Sequence, residues 1–188
     1  VNELVPQNVD YLAVAYTDEG VRLRKRHIQK PIIVLGAEPH SFDAMVKSQL
    51  EPEIFNFYYL HELEAVLKQN PQIQSFGIHI KVDTGMHRLG FDLQDIPKLI
   101  EVVKANPQLR IASVFSHLAA ADDPAEDEFT HHQIALFKQM TDAICSAFDY
   151  PILRHILNSA GIIRFPEAQF DMVRLGIGLY GAAELPEL

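Results

Sequence analysis

Seven short runs of strand character, with a helix or helical turn in each gap between them, recur along the 188 residues and restrict the fold more than any single motif does. They fall at 11–16, 31–35, 53–57, 76–81, 111–115, 152–157 and 171–174. Strand-length and helix-length segments in alternation imply a parallel sheet, because consecutive parallel strands are joined by a right-handed crossover through a helix. The 31–35 run (PIIVL, closed by Gly36) is apolar throughout, as in a strand buried on both faces. Between the runs, Thr17 with Asp18 and Glu19 reads as a helix start, and Leu60, Leu63 and Leu67 share one helical face. Asp92, with Asp95 three residues on, opens another helix, which Asn106-Pro107 stops. An acidic loop over 122–128 leads into a helix over 129–147. Seven strands are one short of a closed (β/α)8 barrel. The pattern alone leaves two choices, an open doubly wound sheet or a barrel whose remaining strand lies outside the chain.

The totals bound the function. A chain of this length fits one domain, 1–188, able to bury roughly 70% of its unfolded surface. With 48% hydrophobic and 22% charged residues it has the composition of a globular protein. A net charge of −9, and no basic cluster beyond residues 22–26, argues against nucleic acid as a partner. That basic patch reads as a solvated helix face. The one cysteine, Cys145, reads as a small core residue, excludes an internal disulfide and suits a reducing compartment. Ser116 and His117 interrupt the longest apolar stretch, so no membrane span is expected, and the first residues lack a signal-sequence pattern. The expectation is a cytoplasmic protein with no metal centre.

Polar residues gather where the strands finish. Lys81, Asp83 and Arg88 follow the fourth run, His117 the fifth, Asn158 and Ser159 the sixth, and Arg174 with Gly176-Ile177-Gly178 the seventh. In a parallel barrel these ends converge on one face, which carries the active site. Singly each has a plain structural reading: a solvated turn and ion pair for Lys81 and Asp83, a satisfied core histidine for His117, a helix cap for Asn158-Ser159. The glycine turn is the sharper signal. Gly-Ile-Gly after a strand lets backbone N–H groups approach a phosphate, with Ser159 able to donate from the preceding loop. Barrels commonly bind phosphate with the loops after their last two strands.

The motif KVDTGMHRLGF (81–91) resembles the fifth-strand signature of alanine racemases, enzymes that use pyridoxal 5'-phosphate (PLP) on a (β/α)8 barrel. YLAVAYTDEGVRLR and IIVLG resemble that family's second and third strand units. FSHLAAAD, RHILNSAGI and FDMVRLGIGLYG resemble the sixth, seventh and eighth. The likeness covers residues 11–181 in family order. It implies a fold-type III PLP enzyme, an incomplete TIM-type barrel that lacks the first βα unit, interconverting L- and D-alanine for peptidoglycan synthesis.

The resemblance also assigns roles. Lys81 matches a lysine carbamylated in many members, whose carbamate holds the arginine matching Arg88, and Asp83 stands beside them. Arg88 would face the cofactor phenolate and the substrate carboxylate, and His117 would pack on the cofactor ring. Ser159 and the N–H groups of Gly176 and Ile177 would hold the phosphate, with Asn158 beside them. Arg174 would donate to the pyridine nitrogen, oriented by His155. An arginine cannot accept a proton there, which keeps that nitrogen unprotonated and weakens the electron sink, favouring proton exchange over side reactions. His87 stands where many relatives carry glycine.

The family's cofactor-anchoring lysine belongs to a first-strand motif resembling VKANAYGHG. None of the eight lysines here has that context. The second base is a tyrosine of a C-terminal β-domain, supplied across a homodimer interface. Neither motif occurs in residues 1–188, so these residues alone are expected to be inactive, with unpaired edges that favour self-association. Other readings stay open. One is a related barrel racemase or decarboxylase, although decarboxylases of this type pair the pyridine nitrogen with an acid rather than an arginine. Others are a non-catalytic PLP-binding module and a domain fused to a cell-wall ligase, a partner known in the family.

Overall fold

The computed structural model describes residues 9–181. Six strands follow one another through the sheet in chain order: β1 (Leu12–Val14), β2 (Ile32–Val34), β3 (Glu51–Ile54), β4 (Phe76–Lys81), β5 (Leu109–Phe115) and β6 (Leu153–His155). The helices between and after them are α1 (Thr17–Lys25), α2 (Phe42–Lys47), α3 (Phe57–Lys68), α4 (Ile96–Ala105), α5 (Asp127–Cys145) and α6 (Ser159–Arg164). The chain divides into two compact units, one of residues up to 79 with 102–111, the other of 80–101 with the residues from 112 onward. Among the described residues no helix is long and apolar enough to cross a membrane, and no three metal-ligating side chains cluster.

In the first unit β1 pairs with β2 in parallel, Leu12 opposite Ile32 and Val14 opposite Val34. β2 pairs with β3 in parallel, Ile33 opposite Glu51. All three residues of β2 are buried, as its unbroken apolar run requires of a strand covered on both faces. The first helix starts one residue earlier than expected, with Thr17 as its first residue and not its cap. Tyr16 holds the cap position, and the Glu19 carboxylate accepts N–H groups from Ala15 (2.8 Å) and Tyr16 (3.0 Å). β3 lies earlier than the expected 53–57 because Asn56 caps the next helix, its Oδ1 accepting the Tyr59 N–H at 2.8 Å. Leu60, Leu63 and Leu67 are fully buried, so that stripe does face the core.

The patch at 22–26 is not simply a solvated face. The Arg24 guanidinium donates to four carbonyls, Ile28 (2.7 Å), Lys30 (2.8 Å), Gln49 (2.8 Å) and Ser48 (3.0 Å). A planar fork with five donors suits the orphan carbonyls left where a helix and its loop end.

In the second unit β5 pairs with β6 in parallel, Ser113 opposite Leu153 and Phe115 opposite His155. Helix α5 buries Thr130, Gln133, Phe137, Met140, Thr141 and Ile144, a stripe at three- and four-residue intervals. Cys145 at its end is half-buried, and burial pushes its thiol above the usual range, away from nucleophile chemistry. Thr130 Oγ1 is buried with no hydrogen-bond partner among the described residues. Thr130→Val keeps the shape and removes an unsatisfied hydroxyl, so urea unfolding should show a gain of about 1 kcal/mol.

The seventh expected strand, 171–174, does not form a ladder. Asp171 N–H donates to Arg154 O (3.0 Å) and Arg174 N–H to Leu157 O (3.1 Å), bonds three residues apart where a ladder repeats every two. The Asp171 carboxylate also takes the Arg154 N–H at 2.9 Å, removing a donor that a strand carbonyl would otherwise use. The segment lies beside β6 without becoming a strand.

Candidate functional site

The loop after β4 is closed at its base. Val82 bridges Phe91, with Asp83 N–H donating to Phe91 O (3.0 Å) and Phe91 N–H to Lys81 O (2.9 Å). Val82 N–H bonds Phe115 O at 2.9 Å, tying the loop to β5. Inside it, the Asp83 carboxylate accepts N–H groups from Gly85 (2.9 Å) and His87 (3.1 Å) and meets His87 Nδ1 at 3.2 Å. Burial pushes the Asp83 carboxyl up, but those two N–H groups and the His87 ring outweigh it, and it titrates below the usual range. Asp83 therefore organises the loop. His87 has φ +53°, a left-handed backbone that glycine adopts without cost, which accounts for glycine suiting this place. Lys81 is 8% exposed, its Nζ 5.7 Å from the centre of the Phe115 ring, and Arg88 is exposed on the loop.

Arg174 reaches back over Phe115, its guanidinium carbon 5.3 Å from the ring centre. Nη1 donates to His155 Nδ1 (2.6 Å) and His155 O (3.2 Å), while Nη2 donates to Ser116 O (2.6 Å) and Ile156 O (3.1 Å). A guanidinium only donates, so His155 Nδ1 must accept. His155 is then neutral, and its Nε2–H donates to Ser113 Oγ at 2.9 Å. The imidazole also stacks on Phe115 at 4.9 Å, which fixes the ring plane. In this arrangement all four terminal N–H groups of Arg174 lie on protein acceptors.

His117 is half-buried, and its pKa falls to about 4, first through burial and then through the positive charges of Arg174, Arg88 and Lys81. The ring is neutral at pH 7, in a field set by three cations. An unfolded chain carries an ordinary histidine near 6.5, so between pH 6.5 and about 4 it binds a proton that folded His117 refuses. This contribution makes stability rise with pH across that window and is complete above it. Urea midpoints at pH 5 and pH 7 should therefore differ more for the wild type than for His117→Asn.

The glycine turn converges on Ser159. Gly176 N–H and Gly178 N–H both donate to Ser159 Oγ at 3.1 Å. A Cβ at Gly178 would meet Leu175 Cδ1 at 3.0 Å and Ser159 Oγ at 3.3 Å, so a side chain would crowd the cradle. Ile177, between the glycines, is exposed. Two N–H groups already aimed at one oxygen, with three cations around His117, are a donor set that fits a phosphate and a second anionic group, as a phosphorylated cofactor carries. Asn158 takes the capping role: its Oδ1 accepts the Gly161 N–H at 2.9 Å, and its Nδ2 reaches Leu118 O at 3.4 Å.

Three residues that the sequence did not single out connect the loops. Gln133 is fully buried on α5. Its Oε1 accepts the Ala119 N–H (3.0 Å), and its Nε2 donates to His117 O and to Thr84 Oγ1, both at 3.3 Å. Thr84 Oγ1 lies 2.8 Å from Ser116 Oγ, both buried. Thr84 and Ser116 fall inside the motifs at 81–91 and 115–122 without a role of their own there, and no motif marks Gln133.

The profile of the family described as "Alanine racemase, N-terminal domain" matches residues 1–184. Among curated proteins the chain is similar to the alanine racemase of Treponema denticola, 36% identical over 183 residues that make up 96% of this chain and 48% of that protein. The alanine racemase of a Synechocystis species is 34% identical over 95% of this chain and 48% of its own length. Among solved structures, the alanine racemase of Clostridium difficile 630 in complex with cycloserine superposes with a TM-score of 0.89 at 31% identity, covering 98% of this chain and 50% of that one. The enzyme from D-cycloserine-producing Streptomyces lavendulae does so with a TM-score of 0.86 at 27% identity, covering 95% and 47%. The fold class is thus the α/β barrel of these enzymes, in incomplete form. The chain spans about half the length of the relatives it matches.

Proposed function

The chain belongs to the family of alanine racemase N-terminal domains, and on that premise we propose that residues 1–188 are a partial barrel domain forming the cofactor cradle of a PLP-dependent alanine racemase. The observation that carries this reading is the set of three cations, Lys81, Arg88 and Arg174, whose charges meet at His117 in a chain whose Gly176 and Gly178 N–H groups converge on Ser159. Bound PLP would supply the electron sink that acidifies the Cα–H of an amino acid. Ser159 and the N–H groups of Gly176 and Ile177 would hold its phosphate, and the neutral His117 ring would offer an uncharged face to pack on. Asn158 would keep the phosphate loop in place as the cap of α6.

Arg174 is always charged and cannot take a proton, so a ring nitrogen facing it stays unprotonated. His155, fixed as an acceptor towards Arg174 by its bond to Ser113, holds the guanidinium plane. Arg88 would bind the substrate carboxylate. Carbamylation of Lys81, in which its neutral amine adds carbon dioxide and releases a proton, would replace one of three neighbouring cations with an anion and give Arg88 a partner. The reaction would serve peptidoglycan synthesis in the cytoplasm, with a homodimer as the working assembly and fusion to a cell-wall ligase as a variant of it.

The test is D-alanine formation from L-alanine with added PLP, using the protein as the cell makes it and its Arg174→Glu variant. The wild type should racemise alanine and the variant lose most of the rate. Residues 1–188 alone should form no D-alanine. A wild type that binds PLP and leaves alanine untouched would keep the cradle and overturn the substrate, and serine, lysine and arginine would be tried next.

A further inference from the structure

Helix α5 carries one carboxamide on which the loop after β4 and the loop after β5 both depend. Gln133 takes the Ala119 N–H on its oxygen and gives its two N–H groups to His117 O and Thr84 Oγ1. Thr84 Oγ1, which accepts from Gln133, also shares a hydrogen bond with Ser116 Oγ, 2.8 Å away, in which either hydroxyl can donate. Ser116 O in turn receives Arg174 Nη2 at 2.6 Å. One turn before Gln133, the edge of the Phe129 ring lies 3.0 Å from where a Cβ would sit at Gly85, so the same helix face packs closely on the first loop. Gln133, Thr84 and Ser116 are all buried, so water does not replace a bond lost among these three while the loops stay in place.

We propose that Gln133 is a positioning residue: it sets where the loops bearing Arg88 and His117 stand relative to the ligand they hold. The PLP readout rests on the function proposed above. The geometry of the network does not. An apolar side chain at 133 takes away the side-chain partner of the Ala119 N–H and of the His117 carbonyl and leaves the Thr84 hydroxyl only its bond to Ser116, and the first two exchange those bonds for water if the loops move apart.

The experiment compares the wild type with Gln133→Met, Thr84→Val and Met140→Ala in the protein as the cell makes it. Three quantities are followed: the PLP dissociation constant, the titration of the His117 ring by NMR, and the urea midpoint. Gln133→Met should weaken PLP at least tenfold and raise the His117 midpoint by a unit or more as water reaches the ring. Thr84→Val should move both less, in the same direction. Met140→Ala empties a buried site on the same helix and should lower the urea midpoint while leaving the other two readouts alone. An unchanged His117 titration in Gln133→Met overturns the proposal, as does the same shift in Met140→Ala. If Gln133→Met does not fold, Thr84→Val decides by the same criterion. A wild type that binds no PLP sinks the functional reading, and the His117 titration still decides the role of Gln133.

Discussion

Arg174→Met should lower folding stability by about 3 kcal/mol and remove PLP-dependent turnover, while Arg174→Lys recovers only part of either. The guanidinium supplies four hydrogen bonds, to His155 Nδ1 and to the carbonyls of His155, Ser116 and Ile156. Methionine fills the stem's volume and satisfies none of them. His155 then loses the donor that fixes its tautomer, and the ring can protonate or turn against Phe115. Lysine restores the charge but brings three donors in a different geometry, so at least one acceptor stays bare. Urea unfolding reads the first effect, and D-alanine formation with added PLP reads the second. An Arg174→Met protein with wild-type stability would show that these bonds are matched by solvent and hold nothing in place.

Gly90→Ala is expected to cost roughly 4 kcal/mol, in the far tail for a single added methyl. Gly90 has φ +145°, and a Cβ there would lie 2.3 Å from Asp83 N, 2.6 Å from Val82 C and 2.9 Å from Asp83 Cα. All three are backbone atoms, so no rotamer change relieves the clash. The loop must open the Val82–Phe91 bridge, which displaces Arg88 and frees the end of β4. The control lies in the same chain. Gly181 is also left-handed, at φ +68°, but nothing lies within 4 Å of a Cβ there, so Gly181→Ala should cost only about 1 kcal/mol. Equal losses at the two positions would show that backbone conformation, and not the close approach at Gly90, governs the loop.

What the sequence disclosed follows from which signals are local. The apolar runs of β2 and β4 are local signals, and both strands lie within the runs where they were read. The segment 171–174 has the composition of a strand, but the Asp171 carboxylate competes for the Arg154 N–H, and composition does not reveal such a competition. Arg24 looked solvated because its acceptors include Ser48 and Gln49, some 25 residues away. At the site, family resemblance pointed to Arg174 and His155, whereas their bonds to Ser113 and Ser116 depend on the register of β5 against β6. Gln133 was invisible for the same reason: a glutamine on a helix carries no pattern until the loops it joins are in place. His117 shows the converse. Its sequence context says little, and its neutrality comes from burial and from three cations supplied by two separate segments, the end of β4 with its loop and the stretch around Arg174.

Whether these residues form a PLP cradle is tested by the dissociation constant of PLP for the wild type and for Ser159→Ala, followed by the absorbance of the bound cofactor. Saturable one-to-one binding should weaken at least tenfold when the Ser159 hydroxyl is removed. Absence of saturable binding by the wild type, or binding indifferent to Ser159, would contradict the cradle.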